Sequence, residues 1–154
     1  DFWFVDRCLM MSITSKGFRG AFMLKRVFST KPGPVSADVL AALPDPLILD
    51  VRDPSEVALG KGGPPASIFG SLNVPLNHNG TSQHERPTTA EELLFKIKEA
   101  GVELTDKNAA IITHCGSGGR GGRAAALLTS LGFSNVHNGG GPSHIASALS
   151  LPKK

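Results

Sequence analysis

Short apolar runs alternate with amphipathic stretches along most of this chain, and the alternation predicts strands and helices in turn. The apolar runs at 47–51 and 109–113 have the length of buried strands. Residues 89–100 instead place apolar side chains at helical spacing after early carboxylates, and Gly101 follows as a stop signal. The full pattern predicts strands at 47–51, 72–75, 109–113 and around Val136, and helices at 37–42, 89–100, 122–131 and 143–149.

Strands that alternate with helices predict an α/β fold, in which a central, mostly parallel sheet carries helices on both faces. The chain has 154 residues, of which 40% are hydrophobic, and this is enough for one globular domain. Ligands of such sheets bind at the carboxyl ends of the strands. Cys115 stands at that end of the run 109–113, so it is the first candidate for chemistry.

A glycine-rich loop connects Cys115 to the next helical pattern. The loop reads Gly116, Ser117, Gly118, Gly119, Arg120, Gly121 and Gly122, with Arg123 following. Backbone N–H groups of such a loop, and of the helix after it, can all point at one anion. A thiolate held there has a lowered pKa, and the two arginines add positive charge. We therefore predict that Cys115 is a catalytic nucleophile and that residues 116–120 form its anion-binding loop.

Three motifs of the chain resemble those of the rhodanese-like sulfurtransferases. The loop fills the family pattern Cys-x-x-Gly-x-Arg with Cys115, Gly118 and Arg120. Residues 47–52 resemble the family's early apolar strand with its Asp-Val-Arg, and residues 136–141 resemble its late strand and glycine turn. The motifs occur in the family's order. The resemblance implies a single rhodanese-like domain at 35–150, with the three-layer α/β fold of the family.

The resemblance also implies a reaction. The family's cysteine thiolate takes the outer sulfur of a donor such as thiosulfate or a persulfide, and a thiol, cyanide or a dithiol protein then accepts that sulfur. Cys115 would carry the persulfide, and the N–H groups from Gly116 to Arg120 would hold its negative charge. Asp50 and Arg52 are then placed near the loop, where charge-assisted hydrogen bonds would brace it.

Two other functions stay open. Cysteine phosphatases carry five residues between the cysteine and the arginine of their loop, and arsenate reductases share that chemistry. Only four residues stand between Cys115 and Arg120, so this loop is sized for one sulfur atom rather than for a phosphoryl group. The third hypothesis is a rhodanese-fold module that carries sulfur, or binds partners, without catalysis.

Further charged side chains near the loop are candidates for supporting roles. Arg123 lies near the start of the predicted helix, where attraction of substrate and simple solvation are equally expected. Arg86 and His84 belong to a loop that could face the pocket. His114 directly precedes Cys115, but neighbouring residues of a strand point to opposite faces. We therefore do not expect His114 to act as the base for the thiol.

The chain departs from the family between its first two predicted strands. The family commonly has Gly-His-Ile-Pro-Gly-Ala, whereas residues 66–71 read Ala-Ser-Ile-Phe-Gly-Ser. Ser67 and Phe69 thus replace the histidine and the proline, after an unusual Gly-Gly-Pro-Pro at 62–65. We expect altered packing beside the site, which leaves the rate and the choice of donor open.

The first 34 residues form a separate basic segment. They carry six basic residues against two acidic ones, a formal charge of +4, which leaves −1 of the net +3 for the rest. A nearly neutral domain gives no reason to expect nucleic-acid binding. The acid-poor composition is typical of a transit peptide, with a disordered basic tail as the alternative. A transit peptide favours a mitochondrial location over a plastid or cytoplasmic one. Deletion of 1–34 is then expected to leave the domain active, and 151–154 is a tail.

The spacing of cysteines and histidines predicts no metal site. Cys8 and Cys115 form no Cys-x-x-Cys pair. Metal-ligand spacing is also missing from His78, His84, His137 and His144. No apolar run reaches the roughly 20 residues that cross a bilayer. We therefore predict no metal, no cofactor and no transmembrane segment.

Overall fold

Four parallel strands form the centre of the computed structural model, which describes residues 32–78 and 81–150. The strands are β1 (Leu47–Asp50), β2 (Leu72–Asn73), β3 (Ile111–His114) and β4 (Val136–Asn138). They lie in the order β2-β1-β3-β4, and every neighbouring pair is parallel. Asp50 is registered with His114, so β1 and β3 end side by side. The predicted parallel sheet is therefore confirmed.

Five helices connect and cover these strands. They are α1 (Ala37–Ala41), α2 (Pro54–Ala58), α3 (Ala90–Glu99), α4 (Gly119–Ser130) and α5 (Pro142–Ala148). Four of them fall on predicted helices. In α3, Leu93 and Ile97 are buried as the helical spacing requires, whereas Ala100, which follows the helix as its C-cap, is exposed.

The helix α2 is absent from the sequence prediction. Its signals are present, because Pro54 occupies a first-turn position and Asp53 and Glu56 form a capping box. The helix α4 also begins three residues earlier than predicted, at Gly119 instead of Gly122. Gly118 makes this early start possible, since its φ of +87° turns the chain into the helix at no steric cost.

Two apolar clusters separate the molecule into three layers. On one face of the sheet, side chains of β1 and β3 pack against Leu93 and Ile97 of α3 and Leu128 of α4. On the other face, Ile48 and Ile112 pack against the side chains of α1 and α5. Alternate residues of each strand thus point to opposite faces, as a strand requires. Helices on both faces of the sheet confirm the predicted three-layer architecture.

The residues just before α1 pack against the domain. The Val35 N–H donates to the Asn138 carbonyl at 2.9 Å, and the Asn138 side-chain amide donates to the Pro32 carbonyl at 2.8 Å. Pro34 lies beside Gly118 and Gly140. The predicted division between 34 and 35 therefore cuts through a contact, and residues 32–34 pack with the domain. The basic segment before residue 32 and the tail 151–154 lie outside the described residues.

None of the helices in the described part of the chain combines the length and the apolar content that a bilayer span requires.

Candidate active site

Cys115 lies directly after β3, at the carboxyl end of the sheet. Its backbone N–H donates to the Gly140 carbonyl at 3.1 Å, which fixes the start of the loop against the turn after β4. The residue is only 3% exposed and packs in the apolar cluster under α3 and α4. The thiol is thus enclosed by protein, and its surroundings decide its protonation.

Backbone N–H groups surround the sulfur of Cys115. Burial is the largest single influence on the thiol, and it raises the pKa. Hydrogen bonds from the N–H groups of Gly121, Ser117, Arg120 and Gly118 act in the opposite direction and together prevail, so the pKa lies below the ordinary value of 9.0. Three of these donors belong to the predicted loop 116–120, and the structure adds Gly121. This ring of donors favours an anion on the sulfur.

Asn138, at the end of β4, holds the loop from below. This side chain is 1% exposed. Its amide donates to the Gly118 carbonyl at 3.0 Å, and its oxygen accepts from the Gly140 N–H at 3.0 Å. The same amide donates to Pro32, so three chain segments meet at one residue. Asn138 belongs to the sequence motif 136–141, but its position in that motif did not indicate that its side chain supports the loop.

Arg120 is held by a carboxylate that the sequence analysis missed. Its two terminal nitrogens lie 2.5 and 2.7 Å from the two carboxylate oxygens of Glu56 in α2, and Asp53 lies 3.8 Å away. The hydrogen bond from Arg120 lowers the pKa of Glu56 to about 2, and the same bond raises the pKa of Arg120. This ion pair ties Arg120 to α2 and so orients the loop. A second role in binding an anionic donor has to compete with Glu56.

Asp50 and Arg52 form a buried ion pair beside the loop. The Arg52 Nε lies 2.9 Å from an Asp50 oxygen, and both side chains are almost fully buried. The Arg52 guanidinium also donates to the carbonyls of Lys61 and Ala66, both at 2.7 Å. The pair therefore braces residues 61–66 and does not touch the cysteine loop directly.

The braced segment 61–66 in turn supports the cysteine loop. A Cβ atom placed on Gly62 would lie 2.4 Å from the Gly116 Cα, and the φ of Gly62 is +100°. Only glycine fits so close an approach in that conformation. The unusual Gly-Gly-Pro-Pro sequence is thus a packing surface for the loop, and Arg52 acts on Gly116 through Gly62.

His114 points away from the sulfur. It is fully buried on the α1 and α5 face, with its Nε2 3.8 Å from an Asp50 oxygen. Neither ring nitrogen has a hydrogen-bond partner among the described residues. Burial lowers the pKa of His114, and the charge of Asp50 only partly opposes this. An imidazole that lies on the far face, and whose basicity is reduced by burial, is not placed to take the proton of Cys115, as the alternation of strand residues requires.

Arg123 and Arg86, the two remaining arginines of the predicted site, lie in different parts of the structure. Arg123 is exposed on α4, and with His84 it lines a cleft of about 600 Å³ that begins at Gly119 and Arg120. Arg86 instead pairs with Glu92 at 3.2 Å and borders a different groove. The pairing with Glu92 in α3 thus keeps Arg86 out of the cleft beside the cysteine loop, and its supporting role stays a prediction.

No group of three or more histidine, cysteine, aspartate or glutamate side chains within 32–78 and 81–150 is arranged to hold a metal ion. What this site offers is an enclosed thiol of lowered pKa, a ring of N–H donors and a cleft beside it. Such an arrangement suits nucleophilic attack by sulfur, followed by storage of negative charge on the group that the sulfur receives.

Comparison with known proteins decides the family. Residues 36–141 match the model of the rhodanese-like domain family. The chain belongs to the rhodanese-like family. Together with the parallel sheet and its two layers of helices, this match confirms the predicted rhodanese-like fold.

Individual rhodanese-like proteins are also similar to this chain. The thiosulfate:glutathione sulfurtransferase of Saccharomyces cerevisiae is 33% identical over 93 residues, which are 60% of this chain and 58% of that protein. A solved structure titled rhodanese with anions from E. coli is 25% identical, covers 70% of this chain and 95% of its own, and has a TM-score of 0.46. The crystal structure of the Alr3790 protein from Anabaena sp. is 24% identical, with coverages of 78% and 80% and a TM-score of 0.49.

Proposed function

We propose that this rhodanese-like protein is a sulfurtransferase that moves a sulfane sulfur through a persulfide on Cys115. In the first step the thiolate attacks the outer sulfur of thiosulfate. A sulfur–sulfur bond forms on Cys115 as the bond between the two sulfurs of thiosulfate breaks, and sulfite leaves with the electron pair of that bond. The protein then carries a persulfide anion.

The second step returns the thiolate. A thiophile attacks the outer sulfur of the persulfide, the new bond forms to that sulfur, and Cys115 leaves with its electrons. Cyanide becomes thiocyanate in this step, and a thiol becomes a hydropersulfide. The relative from yeast carries thiosulfate and glutathione in its name, which supports glutathione as an acceptor here.

The observation that carries this proposal is the ring of N–H groups around Cys115. Gly121, Ser117, Arg120 and Gly118 favour the anion on the sulfur without any side-chain base. The phosphatase alternative requires a loop arginine that is free to take two phosphate oxygens. Here Glu56 occupies both terminal nitrogens of Arg120, so the geometry favours sulfur transfer.

The test is thiocyanate formation from thiosulfate and cyanide, run beside hydrolysis of a phosphate ester. Wild-type protein is expected to form thiocyanate, and Cys115→Ser is expected to lose this activity while it stays folded by circular dichroism. Mass spectrometry after thiosulfate alone is expected to show a gain of one sulfur atom on the wild type only. Phosphate release, or turnover by Cys115→Ser, contradicts the proposal.

A persulfide that forms but passes to neither cyanide nor thiols identifies a carrier instead of an enzyme.

We also propose that the basic segment before residue 32 directs import into mitochondria, on the strength of its composition. Fusion of residues 1–34 to a fluorescent protein tests this, and diffuse cytoplasmic fluorescence contradicts it.

A further inference from the structure

A cleft that begins at Gly119 and Arg120, at the end of the cysteine loop, follows one face of α4. One wall is formed by Gln83 and His84, and the other by α4 residues at helical spacing. The α4 residues that line it are Gly119, Arg120, Arg123, Ala126, Leu127 and Ser130. At ~1.5 Å per residue this wall is about 16 Å long. The cleft therefore starts at the cysteine loop and runs well away from the sulfur.

The cleft contains a cation that no carboxylate of the described chain neutralises. None of the lining residues is acidic, and the charge of Arg120 is already matched by Glu56. Arg123 is exposed, and its Nη1 makes only a long contact of 3.5 Å with the Gln83 carbonyl. Arg123 thus differs from Arg52, Arg86 and Arg120, which all pair with carboxylates.

The position of this cation suits an elongated ligand. Arg123 lies one helical turn beyond Arg120, and Ala126 and Leu127 add apolar surface further along. A donor such as thiosulfate is small, and the N–H groups that surround the sulfur are suited to hold its charge. An acceptor whose thiol reaches Cys115 while its carboxylate reaches Arg123 uses the length of the cleft as well.

We propose that the cleft along α4 is the acceptor subsite, and that Arg123 selects thiols that carry a carboxylate, such as small peptide thiols. This inference rests on the proposed sulfur transfer and deepens it. Arg123 forms an ion pair with the carboxylate in an open, partly hydrated site. It affects binding of the acceptor and leaves the attack on the donor unchanged.

The test compares two acceptors with thiosulfate as the donor. Glutathione carries carboxylates, and dithiothreitol is a neutral thiol. Arg123→Gln is expected to raise the KM for glutathione about tenfold and to leave the KM for dithiothreitol and for thiosulfate within about twofold. Lys98→Gln is the matched control, because it removes an exposed cation that pairs with Glu103 outside the cleft. Equal changes for both acceptors, or a raised KM for thiosulfate alone, overturn the proposal.

A binding measurement separates this proposal from the proposed reaction. Titration of S-methylglutathione into Cys115→Ser by calorimetry needs no turnover. Binding that weakens about tenfold in the double variant with Arg123→Gln supports the subsite even if thiocyanate formation fails. Affinity that is undetectable, or unchanged by Arg123→Gln, overturns the subsite even if the protein transfers sulfur.

Discussion

The ends of β1 and β3 carry different kinds of side chains on the two faces of the sheet. On the face of α3 and α4, Val51 and Cys115 lie in an apolar cluster, and the sulfur is met by backbone N–H groups. On the face of α1 and α5, Asp50 and His114 lie side by side, and Asp50 pairs with Arg52. Asp50 and His114, two side chains that look suited to catalysis, therefore lie on the face without the nucleophile.

This difference has a physical reason. A charged side chain next to a buried thiolate would have to be desolvated and paired itself, whereas backbone N–H groups supply a fixed positive end with no net charge. The charges on the other face are satisfied among themselves and by the carbonyls of Lys61 and Ala66. One face thus provides reactivity, and the other provides the rigidity on which the loop depends.

The largest expected effect on stability comes from removing one partner of the buried ion pair between Asp50 and Arg52. Asp50→Ala leaves the fully buried Arg52 guanidinium without its carboxylate, and we expect the free energy of unfolding to fall by about 3–5 kcal/mol. Urea unfolding at pH 7 measures this. Asp38→Ala removes an exposed carboxylate from α1 and serves as the control, with an expected change below ~1 kcal/mol. A loss for Asp50→Ala no greater than for the control would mean that the pair does not brace the domain.

Removal of the segment before α1 is expected to have the next largest effect on stability. It tests the reactive face, because this segment contacts the cysteine loop from outside the sheet. Deletion of 1–34 removes the hydrogen bond between Asn138 and Pro32 and the packing of Pro34 on Gly118. We expect a loss of about 1–3 kcal/mol in stability, since the Asn138 amide is buried, together with slower sulfur transfer. This prediction differs from the sequence-based expectation, in which the whole of 1–34 is dispensable.

Deletion of 1–31 is the matched control for that truncation, because it keeps Pro32 and Pro34. Its thermal midpoint and transfer rate are expected to stay close to those of the full chain. If the two truncated proteins behave alike, the contacts of residues 32–34 do not support the loop.

The architecture follows from the sequence more directly than the site does. Apolar runs and helical spacing are local properties, so β1, β3, α3 and the alternation of His114 and Cys115 were predictable. The signals of α2 were also present in Asp53, Pro54 and Glu56, but a helix of five residues has no apolar periodicity to reveal it.

The contacts that complete the site join distant parts of the chain. Glu56 and Arg120 are 64 residues apart, and Asn138 and Pro32 are 106 residues apart. The local pattern marks Glu56 as a capping residue of α2, but it gives no sign that Glu56 pairs with Arg120. The pairing of Arg86 with Glu92 is likewise visible only in the folded chain.

The ion pair between Glu56 and Arg120 gives a moderate effect that depends on pH. The pKa of Glu56 falls from 4.5 to about 2 on folding because of Arg120. The stabilisation of the fold by this ion pair is therefore complete above about pH 4.5 and is lost as the pH falls towards 2. We expect Glu56→Gln to lower the free energy of unfolding by ~1 kcal/mol at pH 7 and to slow sulfur transfer several-fold. The stability of this variant is also expected to depend less on pH in this range.

Urea unfolding of Glu56→Gln and wild type at several values between pH 2 and pH 7 measures that dependence. Glu99→Gln, an exposed glutamate near the end of α3, is the control. A constant difference between Glu56→Gln and wild type across the whole range would exclude Glu56 as the titrating partner of Arg120.

The smallest expected effect tests the comparison most directly. His114 is the nearest neighbour of Cys115 in sequence, yet it lies on the other face and makes no hydrogen bond to a described residue. His114→Leu is therefore expected to keep the rate of thiocyanate formation within about twofold and to leave the pH–rate profile unchanged, with stability within ~1.5 kcal/mol of wild type. Loss of a limb from the pH–rate profile would show that the imidazole serves the thiol after all. The division between a reactive and a bracing face would then fail, because a group on the bracing face would be taking part in the chemistry.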